Sequence, residues 1–127
     1  MIKLYVDDLR KCPEGWELAR TNTEAIRLLA TGYVEEVSID HDIMVPNVEF
    51  ISEGVKKRLQ IGEETFQPVV YYIIAMQPDF RPKKVTMHTA NTDAGIKLVQ
   101  MMQRNGIDAE YHSAGYAIEG LPEDEDL

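Results

Sequence analysis

Four times in this chain a short apolar run stops abruptly at residues that bind ions or move protons. Val37-Ser38-Ile39 ends in Asp40-His41-Asp42, and Ile2-Lys3-Leu4-Tyr5-Val6 ends in Asp7-Asp8. Val85-Thr86-Met87 runs into His88-Thr89-Ala90-Asn91, and Ile107-Asp108-Ala109-Glu110-Tyr111 into His112-Ser113. Strands whose carboxyl ends carry polar, ligand-type side chains belong to an open parallel sheet, which binds its ligands in the crevice beyond those ends. The chain must therefore bring distant strand ends together on one edge, and that edge is the candidate site.

The segments between the strands agree. Asn22-Thr23-Glu24 starts a helix whose apolar face is Ala25, Ile26, Leu28 and Leu29, ending at Gly32. Glu63 to Met76 reads as a helix with Pro68 in its first turn, where proline is tolerated. Thr92 to Asn105 is a helix with Ile96, Val99 and Met102 at core spacing, closed by Gly106. The strands are Ile2–Val6, Trp16–Arg20, Val34–Ile39, Lys83–Met87 and Ile107–Tyr111. Five strands alternating with about three helices predict an α/β, flavodoxin-like open sheet, mostly parallel, in the order 2-1-3-4-5. The first crossover helix is missing: nine residues, Asp7 to Gly15, join strands 1 and 2, fewer than a helical crossover needs. Either an extended loop makes the parallel crossing or strand 2 runs antiparallel. Residues 43–62 read as a hairpin around Glu53-Gly54, a lid or a short charged helix.

At 127 residues the chain has the length of one domain, read as 1–118, followed by a disordered acidic tail, 119–127. Net charge is −9, and five acids fall in the last nine residues. That balance excludes a general duplex-DNA binder. No run approaches a membrane span, no signal-type apolar segment opens the chain, and Cys12 has no disulfide partner. These features predict a cytoplasmic protein with no membrane partner.

The strand ends suggest the chemistry. Asp7, Asp8, Asp40 and Asp42 would meet at the ends of strands 1 and 3 and offer oxygen ligands of the kind that suit a hard divalent ion, Mg²⁺ or Mn²⁺, although an Asp-Asp pair after a strand serves equally well as a turn cap. His41, His88 and His112 all fall at strand ends, as acid/base groups or as ligands, in which case Zn²⁺ or Mn²⁺ also fits. Thr89 and Asn91 open a strand-to-helix turn whose backbone N–H groups and hydroxyl would seat a phosphate; an ordinary N-cap by Asn91 or Thr92 is compatible with that. Lys56, Lys57 and Arg58 could reach a substrate phosphate or form a solvated face. No Walker loop, GxGxxG, paired-cysteine zinc motif or nucleophile elbow is present.

An Asp-Asp pair after strand 1, an Asp after strand 3 and a Ser/Thr after strand 4 resemble the response-regulator receiver domain. The resemblance implies Mg²⁺ binding by Asp7 and Asp8, phosphate acceptance by Asp40 and phosphoryl contact by Thr89. Receivers place a lysine after strand 5, where this chain has His112-Ser113, and a full helix between strands 1 and 2. The sequences V-D-D-L-R, P-x-G-W, T-x-x-E-A-I, S-I-D-H-D and H-T-A-N, in that order between Ile2 and Gly106, are similar to a divergent group, the cyclic-phosphate-processing receiver domains. That resemblance implies hydrolysis or end-processing of cyclic phosphates on nucleotides or RNA ends, in RNA-repair or phage-conflict settings. The expected site has Asp40, His41 and His88 as catalytic groups, Asp7, Asp8 and Asp40 as metal ligands, and Thr89, Asn91 and His112 on the phosphate. The other readings are a non-catalytic receiver-like signalling or nucleotide-binding module and a phage- or host-encoded interaction protein, whose protein partner the sequence does not name.

Overall fold

The computed structural model describes residues 1–42 and 65–113. The readings of residues 43–62 and of the acidic tail lie outside the described residues. Five strands form one sheet: β1 (Ile2–Val6), β2 (Glu17–Ala19), β3 (Val34–Ile39), β4 (Lys84–Thr89) and β5 (Ala109–Ser113). Their order is β2-β1-β3-β4-β5, and every pairing is parallel. This is the flavodoxin-like, receiver-like arrangement expected from the alternation of elements. Strand 2 is parallel and short, and residues 7–16 make the crossing without a helix. Arg20 braces this link, its Nη1 donating to the carbonyls of Asp7 (3.2 Å) and Arg10 (2.8 Å).

Three α-helices are described, α1 (Asn22–Leu29), α2 (Gln67–Ala75) and α3 (Thr92–Arg104), with a 3-10 turn at Pro78–Phe80. Thr21 caps α1, its hydroxyl accepting the Glu24 N–H, while Glu24 accepts from the Arg20 N–H. Thr65 forms an isolated antiparallel bridge with Asp42, just beyond β3. Helix α2 begins at Gln67, four residues later than the periodicity suggested, with Pro68 in its first turn.

Alternation along the strands divides the sheet into two unlike faces. Leu4, Val6, Val37, Ile39, Val85, Met87 and Ala109 join residues of all three helices in one apolar cluster. The opposite pleats carry Tyr5, Ser38, Thr86, His88, Glu110 and His112, which pair across the strands in register. Two expected strands are displaced by this pattern. β4 runs two residues beyond Met87, so His88 and Thr89 lie inside the strand on opposite faces. β5 begins at Ala109 rather than Ile107, which puts His112 in the strand as well. Gly95, in the first turn of α3, allows the helix to close on β4 and β5. A Cβ there would stand 2.8 Å from both Thr89 Cγ2 and the Tyr111 ring.

Among the described residues no helix is long and apolar enough to cross a membrane.

Candidate functional site

The carboxyl ends of β1, β3 and β4 converge on Asp7. This carboxylate is fully buried, and each of its oxygens accepts two hydrogen bonds. Oδ1 takes the backbone N–H groups of Leu9 (2.9 Å) and Arg10 (2.8 Å). Oδ2 takes Arg10 Nη1 (3.1 Å) and His88 Nε2 (2.8 Å). Burial alone would raise its pKa, but the bond from His88 and the two amide bonds outweigh burial and bring it from 3.8 to about 2. Asp7 is thus ionised at every ordinary pH.

Asp40 has the opposite balance. Its Oδ1 accepts the His41 N–H (2.7 Å), and its Oδ2 lies 3.0 Å from Arg10 Nη1. Burial, then the neighbouring Asp7 charge, push its pKa up, against the pull of Arg10. One guanidinium nitrogen therefore joins two carboxylates of unlike proton affinity. Asp8 completes the acidic group: one ligand atom from each of Asp7, Asp8 and Asp40 can be chosen so that all lie within 4.8 Å of one another.

His88 is held on three sides. Nε2 meets Asp7, Nδ1 lies 2.6 Å from Ser38 Oγ, and the ring stacks on Tyr5 with centroids 4.4 Å apart and planes 4° from parallel. Trp16 meets the Tyr5 ring edge-on. Burial, then the Asp7 charge, push the Tyr5 phenol well above its usual range, so it stays neutral.

The remaining expected residues stand apart from this network. His41 is buried and faces α2. Its Nδ1 is 2.7 Å from Asp42 Oδ1, and its Nε2 has a long 3.3 Å contact with the Gln67 side-chain amide. Because a carboxylate only accepts, the hydrogen is assigned to Nδ1. Thr89 is 1% exposed on the helix side of the sheet, where its Oγ1 accepts the Asn91 N–H. Asn91 caps α3 by accepting the Ala94 N–H. His112 lies next to His88 in register, but its side chain is 60% exposed and turns to Glu110 (3.2 Å). Asp7, Asp8, Asp40 and His88 are thus brought together; Thr89, Asn91 and His112 are not. Sequence reasoning missed Arg10, Ser38 and Tyr5. The signals were an arginine three residues after a buried acid, and period-2 spacing that puts Tyr5 with Asp7 and Ser38 with Asp40.

The depressed pKa of Asp7 has a consequence for acid stability. A carboxylate whose folded pKa lies below its free value contributes stability above the free value and loses it as pH falls through the folded one. Asp7 should therefore contribute about 2 kcal/mol that disappears between pH 3.8 and about 2. Asp40, shifted upward, opposes folding above its free pKa and does not add to this loss. Denaturant titration across that window should show a steep decline for the native chain and a flatter one for Asp7→Asn. Equal slopes would mean that Asp7 is not held as described.

A five-stranded parallel sheet with an acid, arginine and histidine cluster at its carboxyl edge defines a receiver-like α/β domain. More narrowly, the chain belongs to the cyclic-phosphate processing receiver domain family, whose model matches residues 2–104. No curated protein and no solved structure matches it.

Proposed function

We propose that the protein is a phosphoesterase that opens cyclic phosphates on nucleotides or RNA ends. The observation that carries this reading is the pair of unlike carboxylates joined through Arg10. Two titratable groups pushed apart in proton affinity are the usual mark of divided acid and base duties. Asp7 keeps a fixed negative charge that anchors Arg10 and His88. Asp40, with the higher affinity, is the group to take a proton from an attacking water.

Ring opening fits such a site because one P–O bond breaks and no fragment leaves. Arg10 supplies permanent positive charge against the phosphodiester anion. Water attacks phosphorus, its proton passes to Asp40, the bond from phosphorus to the ribose oxygen breaks, and Asp40 returns the proton to the released oxygen. His88, with both ring nitrogens engaged, holds Asp7 rather than meeting substrate.

The donor set also suits a hard divalent cation, Mg²⁺ or Mn²⁺, because it is all oxygen. Asp8 and Asp40 would hold it. Asp7 fits poorly as a direct ligand, since four N–H donors already fill its acceptor positions. When bound, the cation would add positive charge against the phosphoryl oxygens. A phospho-accepting signalling role is less well supported, because Thr89, the hydroxyl such a site would use, is buried on the helix side.

The test is product analysis with 2′,3′-cyclic and 3′,5′-cyclic nucleotides and short RNAs ending in a cyclic phosphate, in Mg²⁺, Mn²⁺ and EDTA. The expected product is the ring-opened monoester, with EDTA lowering the rate. Absence of turnover under every condition would overturn the phosphoesterase reading, and labelling of Asp40 by acetyl phosphate would then favour the signalling role.

A further inference from the structure

We infer that Ser38 is a positioning residue of this site, the hydroxyl that fixes His88 in a single tautomer and ring orientation. Its effect on turnover rests on the phosphoesterase reading; its effect on the ring does not.

Three groups hold the imidazole, and two of them, at opposite ends of the ring, together decide which nitrogen carries the hydrogen. Stacking on Tyr5 fixes the plane of the ring but is indifferent to which nitrogen points where. Asp7 only accepts, so the nitrogen that faces it, Nε2, carries the hydrogen. Ser38 lies one pleat deeper in β3 than Asp40, with its Oγ 2.6 Å from Nδ1. A neutral ring with its hydrogen on Nε2 leaves a lone pair on Nδ1, and the Ser38 O–H is its donor. Both side chains are nearly closed to solvent, so no water readily replaces that donor. A buried nitrogen without a partner is costly, so the Ser38 hydroxyl completes the arrangement that Asp7 requires, and without it the ring gains by turning or by shifting its hydrogen. Through Nε2 the same arrangement orients Asp7, and through Asp7 it sets the Arg10 bridge to Asp40. An outer hydrogen bond of this kind acts on a reaction without touching the substrate.

Ser38→Thr and Ser38→Val test this cleanly, because the two side chains share a shape and differ in the hydroxyl. The full chain with isotope-labelled histidine is observed by nitrogen NMR, His41 and His112 serving as internal controls of the fold. In the native chain and in Ser38→Thr, His88 should show one protonated nitrogen, Nε2, in a single ring form. In Ser38→Val it should show exchange between forms or transfer of the hydrogen to Nδ1. Turnover of a cyclic phosphate should fall about 10- to 100-fold in Ser38→Val, mainly in kcat, and recover in Ser38→Thr. If the added methyl unfolds both variants, Ser38→Ala against the native chain gives the same comparison. An unchanged His88 spectrum without the hydroxyl overturns the assignment, as does a turnover loss that is equal in Thr and Val. If the native chain opens no cyclic phosphate, the phosphoesterase reading falls and the ring spectrum alone decides the role of Ser38.

Discussion

Asp40→Asn should lower the rate of cyclic-phosphate opening by roughly 100- to 10,000-fold, the range a positioned general base contributes. The substitution keeps the side chain's shape and an oxygen to accept the His41 N–H, so the end of β3 need not move. What it removes is the proton acceptor. Stability should change little, because the Asp40 charge is disfavoured by burial and by Asp7 before Arg10 offsets part of the cost. Steady-state rates beside thermal melts separate the two effects. A variant that melts like the native chain and turns over at the native rate would remove Asp40 from the chemistry.

Arg10→Met should be the most destabilising single change at the site. The guanidinium stands between Asp7 and Asp40, with Arg10 only 12% exposed and the acids 0% and 8%. Deleting one partner of a buried charge cluster typically costs about 3–5 kcal/mol, because the remaining charges keep their desolvation penalty without compensation. For a domain of this size that corresponds to a fall in Tm on the order of 10–20 °C. The loss should grow with pH. Without Arg10 the two carboxylates share one protonation between them, and the folded pKa of Asp40 rises further. An acid with a raised folded pKa opposes folding increasingly as pH climbs from its free value to its folded one. Melts at acidic and neutral pH check the sign, and adding Asp40→Asn to Arg10→Met should return part of the stability. A pH-independent loss, or no recovery in the double variant, would mean that Arg10 acts through packing rather than charge.

The sheet order was legible because the strand ends announced themselves: a run of apolar residues stopping at Asp7-Asp8 or at Asp40 has few other homes. The meeting of Asp7, Asp8 and Asp40 followed from that order. The direction of β2 was not legible, since residues 7–16 make the parallel crossing without a helix, as a link that Arg20 braces. His88 and Thr89 read as one turn, yet they occupy opposite faces of a strand that simply continues two residues further. β-branched Thr86 and Thr89 carried that hint, and the following Ala90-Asn91 obscured it. Arg10 looked like one more loop residue. Its importance depends on a burial that only the assembled sheet produces.

Asp7 and His88 are 81 positions apart, and the bond between them passes over the strand that carries Ser38. A site stitched across such a span has no local precursor. Contacts of this separation form only after a long loop has been closed, and they raise contact order, which slows folding. During synthesis the acids emerge early and wait, still hydrated, until β4 arrives to supply the histidine. The hydrogen-bond network around Asp7 is therefore complete only once the last central strand is in place.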